Sequence, residues 1–450
     1  MKRSFALICV LAGLSLNLSS QQQTGSLAPT PPMGWNSWDS YGLTVTESEF
    51  KANVNWLHQH LQPFGWQYVV VDEGWYLAHP ENADEKGADQ GYVLSPEGLY
   101  FPAPNRFPSS VNKQGLKPMA DYVHSLGLKF GIHIIRGVPK QAVEKDLPIA
   151  GSSYRASEAA DQTDLCRWNP DNFGVKDNAA GQAYYDAMAR LYAGWGVDFL
   201  KVDCISQPYN AHEIHMVSAA LRKSGRPIIL SLSPGPTPID QAADVRQYAQ
   251  LWRISDDMWD IWAKKPDEGN FPQSLKNQFS LIQQWSPYVE PGHWPDADML
   301  PIGYLGPRPG WGSARQSRFT LGDTRTLLTL WSISRSPLIL GSNLTAMDPQ
   351  IESLVTNPEV IAVNQRSTGN RPVIETADTA IWTAVLDNVH LVAVFNLSDS
   401  PTTITQTWKS LGLEKSSYRV RDLWQREELG LQGSLRLSVP AHGSYLVSLR

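Results

Sequence analysis

Between residues 30 and about 345 the chain alternates short apolar or β-branched runs with longer helix-like stretches, and that alternation narrows the possible folds more than any other feature. The runs are MGWNSW (33–38), YVVVDEGW (68–75), LKFGIHI (128–134) and FLKVD (199–203). They continue with PIILSLS (227–233), LWRISDD (251–257), DADMLPIG (296–303) and PLILGSN (337–343). Helix-like segments such as Glu47–Leu61, Leu116–Leu126, Gly181–Trp195 and Asn210–Ser224 stand between them. Eight strands joined by right-handed helical crossovers close into a (β/α)8 TIM barrel. A doubly wound sheet shares the alternation, but no glycine-rich dinucleotide fingerprint follows any of these strands. After about residue 366 the pattern shifts to AIWTAVL (380–386), HLVAVFNLS (390–398), TTITQTW (402–408), SYRVRDLW (417–424), LRLSV (435–439) and SYLVSL (444–449). Short strands separated by turn residues imply an antiparallel β-sandwich. The expected class is α/β: a catalytic barrel over 26–366 and a C-terminal sandwich over 367–450, read as a stabilising appendage.

The net charge is −6 with no long basic block, which excludes nucleic acid as a partner because phosphate binding needs clustered Lys and Arg. Met1 to about Ser20 reads as a secretory signal: Lys2 and Arg3 precede an apolar stretch, Phe5–Leu16, too short to span a bilayer. No later segment resembles a membrane helix, so the expected product is exported, to periplasm or medium, with no membrane attachment after signal removal. Two cysteines then remain, Cys166 and Cys204. An exported chain with one possible pair usually oxidises it, so a disulfide is expected, with two isolated thiols as the alternative. Two cysteines do not make a zinc site.

The run FLKVDCIS (199–206) ends an apolar strand in a lysine, an aspartate and a cysteine. Barrels keep their chemistry at the carboxyl ends of strands, and a carboxylate tuned there by burial and a nearby cation can act as nucleophile or base. Asp203 is the first catalytic candidate. In WRISDD (252–257) strand alternation puts Arg253, Ser255 and Asp257 on one face and Asp256 on the other. Asp203 and Asp257 thus make two carboxylates on strand ends of one barrel. That pairing suits glycoside hydrolysis, where one group attacks the anomeric carbon and the other protonates the leaving oxygen.

Six ordered motifs make the match specific: TPPMGWNSW (30–38), VVDEGW (70–75), FLKVDC (199–204), WRISDDM (252–258), WPDADML (294–300) and SPLILGSNL (336–344). With NPEVIAVNQ (357–365) closing the barrel, the chain resembles glycoside hydrolase family 27, the melibiase-like α-galactosidase and α-N-acetylgalactosaminidase family. The resemblance implies Asp203 as nucleophile and Asp257 as general acid/base in a retaining double displacement that needs no metal or other cofactor. It implies Lys201 as the lysine that binds sugar hydroxyls beside the nucleophile, and Arg253 near the sugar's 2-position. Trp38 falls where the family places an aromatic floor and Asp72 where a carboxylate grips hydroxyls. Asp298 and Met299 match residues on the far side of the pocket. Cys166 and Cys204 correspond to a disulfide closing over the site.

Three departures bear on the sugar. Glu73 stands where α-galactosidases of the family carry a second aspartate, and its extra methylene crowds the space of galactose C6. Some family members act on β-L-arabinopyranosides, which resemble galactose without C6. Ser233 replaces an acidic residue and leaves room at the 2-position, as an N-acetyl group requires. His133 replaces a tyrosine of the pocket wall. The resemblance ranks an α-galactosidase acting on terminal galactosides of an oligosaccharide or glycan first, ahead of β-L-arabinopyranosidase and α-N-acetylgalactosaminidase. A metal-dependent barrel hydrolase lacks a ligand cluster, and a binding-only relative would not need both aspartates. His212-Glu213-Ile214-His215 lacks the H-E-x-x-H spacing and reads as a solvated helix face. Trp35, Trp75 and Trp252 read as core.

Overall fold

The computed structural model describes residues 27–83, 88–265 and 267–450, so the signal-like segment lies outside the described residues. Eight parallel strands form one sheet: β1 (Met33–Asn36), β2 (Tyr68–Val71), β3 (Lys129–Ile135), β4 (Phe199–Asp203), β5 (Ile229–Leu232), β6 (Leu251–Arg253), β7 (Trp294–Asp296) and β8 (Leu338–Leu340). β1 to β7 pair in sequence order, and β8 returns to β1 with Met33 opposite Leu338. The gap between β7 and β8 is closed by one residue: Leu300 donates to the Ile339 carbonyl at 2.7 Å and accepts from Gly341 at 3.2 Å. The expected barrel is present.

The strands read as apolar runs because helices cover the sheet from outside. On β4, Leu200 and Val202 are fully buried under those helices, while Lys201 and Asp203 alternate to the other face. Helices Glu47–His60, Lys117–Ser125, Ala179–Trp195 and Ala211–Lys223 fall within two residues of the expected spans. The first begins with a capping box, in which Thr46 and Glu49 satisfy each other's backbone N–H.

Three expectations need correction. The seventh strand lies at Trp294–Asp296, not at 296–303. Asp298 adopts φ 87° and its N–H bonds the Asp296 side chain at 2.9 Å, a local turn that breaks the ladder before Leu300 resumes pairing. The sixth strand stops at Arg253, so alternation does not reach Asp257, and Asp256 and Asp257 line the same cavity. Finally, His212–His215 is not a solvated face. Glu213 is fully buried and bonds the Arg136 guanidinium at 2.5 Å, because helix Ala211–Lys223 turns it into the barrel wall.

The C-terminal part is a sandwich. A six-stranded antiparallel sheet runs in the order 368–375, 379–386, 389–396, 444–449, 418–422, 427–432, and a hairpin-like pair, 402–406 with 435–439, faces it. Ile404, Leu437 and Val439 pack on Val392, Val394 and Val447 between the layers. The opposite face of the large sheet, with Trp382, Phe395 and Leu446, joins the barrel core. Phe279 meets Phe395 edge-on at 5.0 Å there.

Candidate active site

The carboxyl ends of the strands open into a cavity of about 590 Å³. Asp72, Glu73, His133, Lys201 and Asp203 make its floor, Trp38 and Met299 its sides, and Asp256 and Asp257 part of its rim. Strand register brings the floor together: His133 lies opposite Lys201 and Ile135 opposite Asp203 across β3 and β4.

Asp203 is held by three donors. Trp168 Nε1 gives a hydrogen bond to Oδ1 at 3.0 Å, while His133 Nε2 and Ser233 Oγ both reach Oδ2 at 3.3 Å. Burial opposes its charge, but His133, Lys201 and Trp168 outweigh burial and hold the carboxyl below its ordinary range. His133 moves the opposite way: burial disfavours its proton, and Asp72 and Asp203 more than restore it. The floor is therefore an ordered array of cation and anion.

Asp72 accepts from Lys201 Nζ at 3.0 Å, Asn36 Nδ2 at 2.6 Å and the Glu73 N–H at 2.9 Å. Against burial, His133 and Lys201 keep it well below the usual carboxylate range. Glu73 differs sharply. Burial, with the charges of Asp203 and Asp72 beside it, pushes it up to about 7, although His133 opposes this. Its Oε1 accepts from the Asn169 amide.

On the other side, Arg253 bridges two carboxylates, Asp257 Oδ1 at 3.2 Å and Asp298 Oδ2 at 2.6 Å. Asp298 also accepts from the N–H groups of Met258 and Met299 at 2.6 and 2.7 Å. Asp257 keeps 38% of its side chain exposed, facing the opening. Arg253, Asp298 and Ser233 do not reach the main cavity. They line a void of about 30 Å³ beneath it, together with Lys201 and Met299, which touch both spaces. A void that size holds about one water.

Trp38 owes its position to Gly310. A side chain there would put Cβ 2.3 Å from the indole, and the Gly310 N–H bonds the Trp38 carbonyl at 3.0 Å. Trp35, Trp75 and Trp252 are fully buried core, as expected.

Sequence reasoning missed Trp168 and Asn169. Both sit on a loop between strands Ala160–Leu165 and Asn172–Val175, tied by the Cys166–Cys204 disulfide to the residue after Asp203. The signal was available: Trp168 follows one half-cystine by two positions, and the other half-cystine adjoins the catalytic candidate. Arg136 adds a second tie. Its guanidinium bonds the Cys204 carbonyl at 2.7 Å and Asp164 through two bonds of 2.8 Å.

Comparison with known proteins places this geometry. Residues 172–366 match the family described as alpha galactosidase A, and residues 376–449 match the alpha galactosidase C-terminal beta sandwich domain. A crystal structure of a family 27 β-L-arabinopyranosidase from Geobacillus stearothermophilus is 44% identical, with TM-score 0.87, covering 94% of this chain and 97% of that one. The chain belongs to glycoside hydrolase family 27. It is therefore a glycoside hydrolase. A putative α-N-acetylgalactosaminidase from Bacillus halodurans is 38% identical, with TM-score 0.82 over 93% of this chain and 97% of that one. Among curated relatives, an alpha-galactosidase from Cyamopsis tetragonoloba is 29% identical, covering 92% of this chain and 85% of its own length.

Among the described residues no group of three His, Cys, Asp or Glu side chains is placed to hold a metal, and no helix is long and apolar enough to cross a membrane.

Proposed function

We propose that this glycoside hydrolase is an exported, retaining exo-glycosidase that prefers β-L-arabinopyranosides and acts on α-D-galactopyranosides more slowly. The observation that carries the sugar preference is Glu73. It lines the cavity beside Asp72, its carboxyl is fixed by the Asn169 amide, and it is one methylene longer than the aspartate the family's α-galactosidases carry there. A pentopyranose leaves that space free; the hydroxymethyl group of galactose competes for it. Similarity at 44% identity to a β-L-arabinopyranosidase supports the same ranking over relatives named alpha-galactosidase at 27–29%. The α-galactoside, ranked first from the sequence, becomes the second reading; Asp72, Lys201 and Trp38 suit the ring hydroxyls and face common to both sugars. Ser233 donates to Asp203 and lines the small void, and no observation favours the N-acetyl reading over the other two.

The mechanism follows from charge placement. Asp203, ionised and held by three donors, attacks the anomeric carbon as the bond to the leaving oxygen breaks. Asp257 gives that oxygen its proton, then takes one from the water that cleaves the glycosyl–Asp203 ester. Lys201 and Asp72 grip hydroxyls, and Arg253 fixes Asp257 while Asp298 fixes Arg253.

The test is hydrolysis of p-nitrophenyl β-L-arabinopyranoside, α-D-galactopyranoside and α-N-acetylgalactosaminide by the mature protein with EDTA present. The highest kcat/KM is expected on the arabinoside. A dominant galactoside or N-acetyl substrate would overturn the preference and leave the mechanism standing; no turnover of any would overturn both.

A further inference from the structure

Selection by Glu73 asks more of the residue than length. Its side chain turns about several single bonds, and a carboxyl free to do so would swing aside from a galactose hydroxymethyl group. Discrimination therefore needs the carboxyl held. Among the described residues the Glu73 carboxyl has one hydrogen-bond partner, the Asn169 amide on Oε1. The Glu73 N–H is engaged separately, with Asp72 at 2.9 Å, which fixes the backbone and leaves the side chain to Asn169. An amide donor serves a carboxyl oxygen in either protonation state. That matters here, because burial and the charges of Asp203 and Asp72 push Glu73 up to about 7.

Asn169 is itself held. Its Oδ1 accepts the Asp171 N–H at 3.0 Å, an Asx turn that leaves the amide nitrogen to Glu73. The loop that carries it, 166–171, is pinned at both ends. At one end Cys166 is bonded to Cys204. At the other, Asn172 is buried and its amide bonds the Ile135 and Arg136 carbonyls at 3.1 and 3.0 Å, while Tyr100 donates to its Oδ1 at 2.8 Å. Between these anchors the Lys140 N–H bonds the Asp171 carbonyl at 3.0 Å.

We infer that Asn169 is the positioning residue that makes Glu73 selective: its amide holds the carboxyl against the space that galactose C6 needs, so pentopyranosides are preferred only while that tether is in place. The inference rests on the reading of Glu73 above. Two segments far apart in sequence thus share one specificity determinant, with Glu73 supplying the bulk and Asn169 its rigidity. Galactose enters the wild-type site only by breaking the bond between them. Without the bond, the carboxyl turns aside at little cost.

The experiment measures kcat/KM of the mature enzyme on p-nitrophenyl α-D-galactopyranoside and β-L-arabinopyranoside and takes the ratio of the first to the second. The variants are Asn169→Ala, Asn169→Ser, Glu73→Asp and the double variant Asn169→Ala/Glu73→Asp. In Asn169→Ala the ratio should rise about 3–100-fold, the worth of one hydrogen bond to a carboxyl; any loss from a slackened loop falls on both sugars and cancels. Asn169→Ser keeps an oxygen for the Asp171 N–H but is one bond too short for Glu73, and its ratio should rise likewise. In the Glu73→Asp background no tether remains to be lost, so adding Asn169→Ala should move the ratio by no more than about twofold. An unchanged ratio in Asn169→Ala, a wild-type ratio in Asn169→Ser, or an equal rise in both backgrounds would overturn the inference. If Glu73→Asp shifts the ratio and Asn169→Ala does not, this inference alone fails; if Glu73→Asp leaves the ratio unchanged, the reading of Glu73 fails with it.

Discussion

Shortening Glu73 to aspartate is the sharpest test of what sets the sugar. Glu73→Asp withdraws the carboxylate by one carbon–carbon bond, about 1.5 Å, and frees roughly the volume of a methylene beside the ring. A methylene's difference in pocket size discriminates substrates by about 1–3 kcal/mol, or about 10–200-fold. The change also costs the bond from the Asn169 amide, worth about 0.5–3 kcal/mol depending on whether the carboxyl is neutral or charged. That loss slackens the loop carrying Trp168 and falls on every substrate alike. The informative quantity is therefore the ratio of kcat/KM on p-nitrophenyl α-D-galactopyranoside to that on the β-L-arabinopyranoside, in which the common loss cancels. The ratio should rise by about 10–200-fold even as arabinoside turnover falls. A ratio within about threefold of wild type, less than the smallest effect a methylene should have, would refute the crowding argument and move specificity elsewhere on the floor.

Three further outcomes are expected. Asp257→Ala should cost about 10²–10⁴ in kcat/KM on a disaccharide and far less on activated aryl glycosides, because good leaving groups need little acid help; equal losses on both would remove Asp257 as the acid. His133→Asn removes the partner that helps hold Asp203 low, so the acid limb of the kcat/KM profile should move to higher pH. Because the His133 pKa is raised on folding, its contribution to stability is present below about pH 6.5 and lost as pH rises through the raised value. The variant should therefore lack that alkaline decline in Tm, and superimposable pH profiles of rate and Tm would contradict both statements. Arg136→Met leaves Glu213 as a buried unpaired carboxylate and should destabilise by about 3–5 kcal/mol in urea unfolding. Adding Glu213→Leu should recover much of that loss; a double variant no better than the single would show that the buried charge is not the cause.

The barrel was legible because a strand covered on both sides must be apolar throughout, and eight such runs at helical spacing admit few topologies. The sandwich strands at 380–386, 390–398 and 444–449 were legible for the same reason. Strands 368–375 and 427–432 were not, because they lie on the sheet's edges, where Arg371, Pro372 and Glu427–Glu428 interrupt the alternation. The seventh strand was misplaced because WPDADML mixes a short strand with a turn, and only the left-handed backbone of Asp298 marks where one becomes the other. Glu213 was misread because a charged residue on a helix is usually solvated, and nothing local reveals an arginine 77 positions earlier.

At the site, residue chemistry and strand-end position nominated Asp203 and Asp257, and the family resemblance added Asp72, Glu73, Lys201 and His133. Which of them share a space was decided by tertiary structure. Register across β3 and β4 sets His133 against Lys201 and brings its ring within 3.3 Å of Asp203, whereas Ser233, Arg253 and Asp298 line the small void. Trp168 and Asn169 reach the floor only because the disulfide and Arg136 fold a distant hairpin over it. Side-chain chemistry belongs to single residues and can be read one letter at a time. Distance, burial and the field at a carboxylate belong to residues far apart in sequence, and they exist only after the chain has closed.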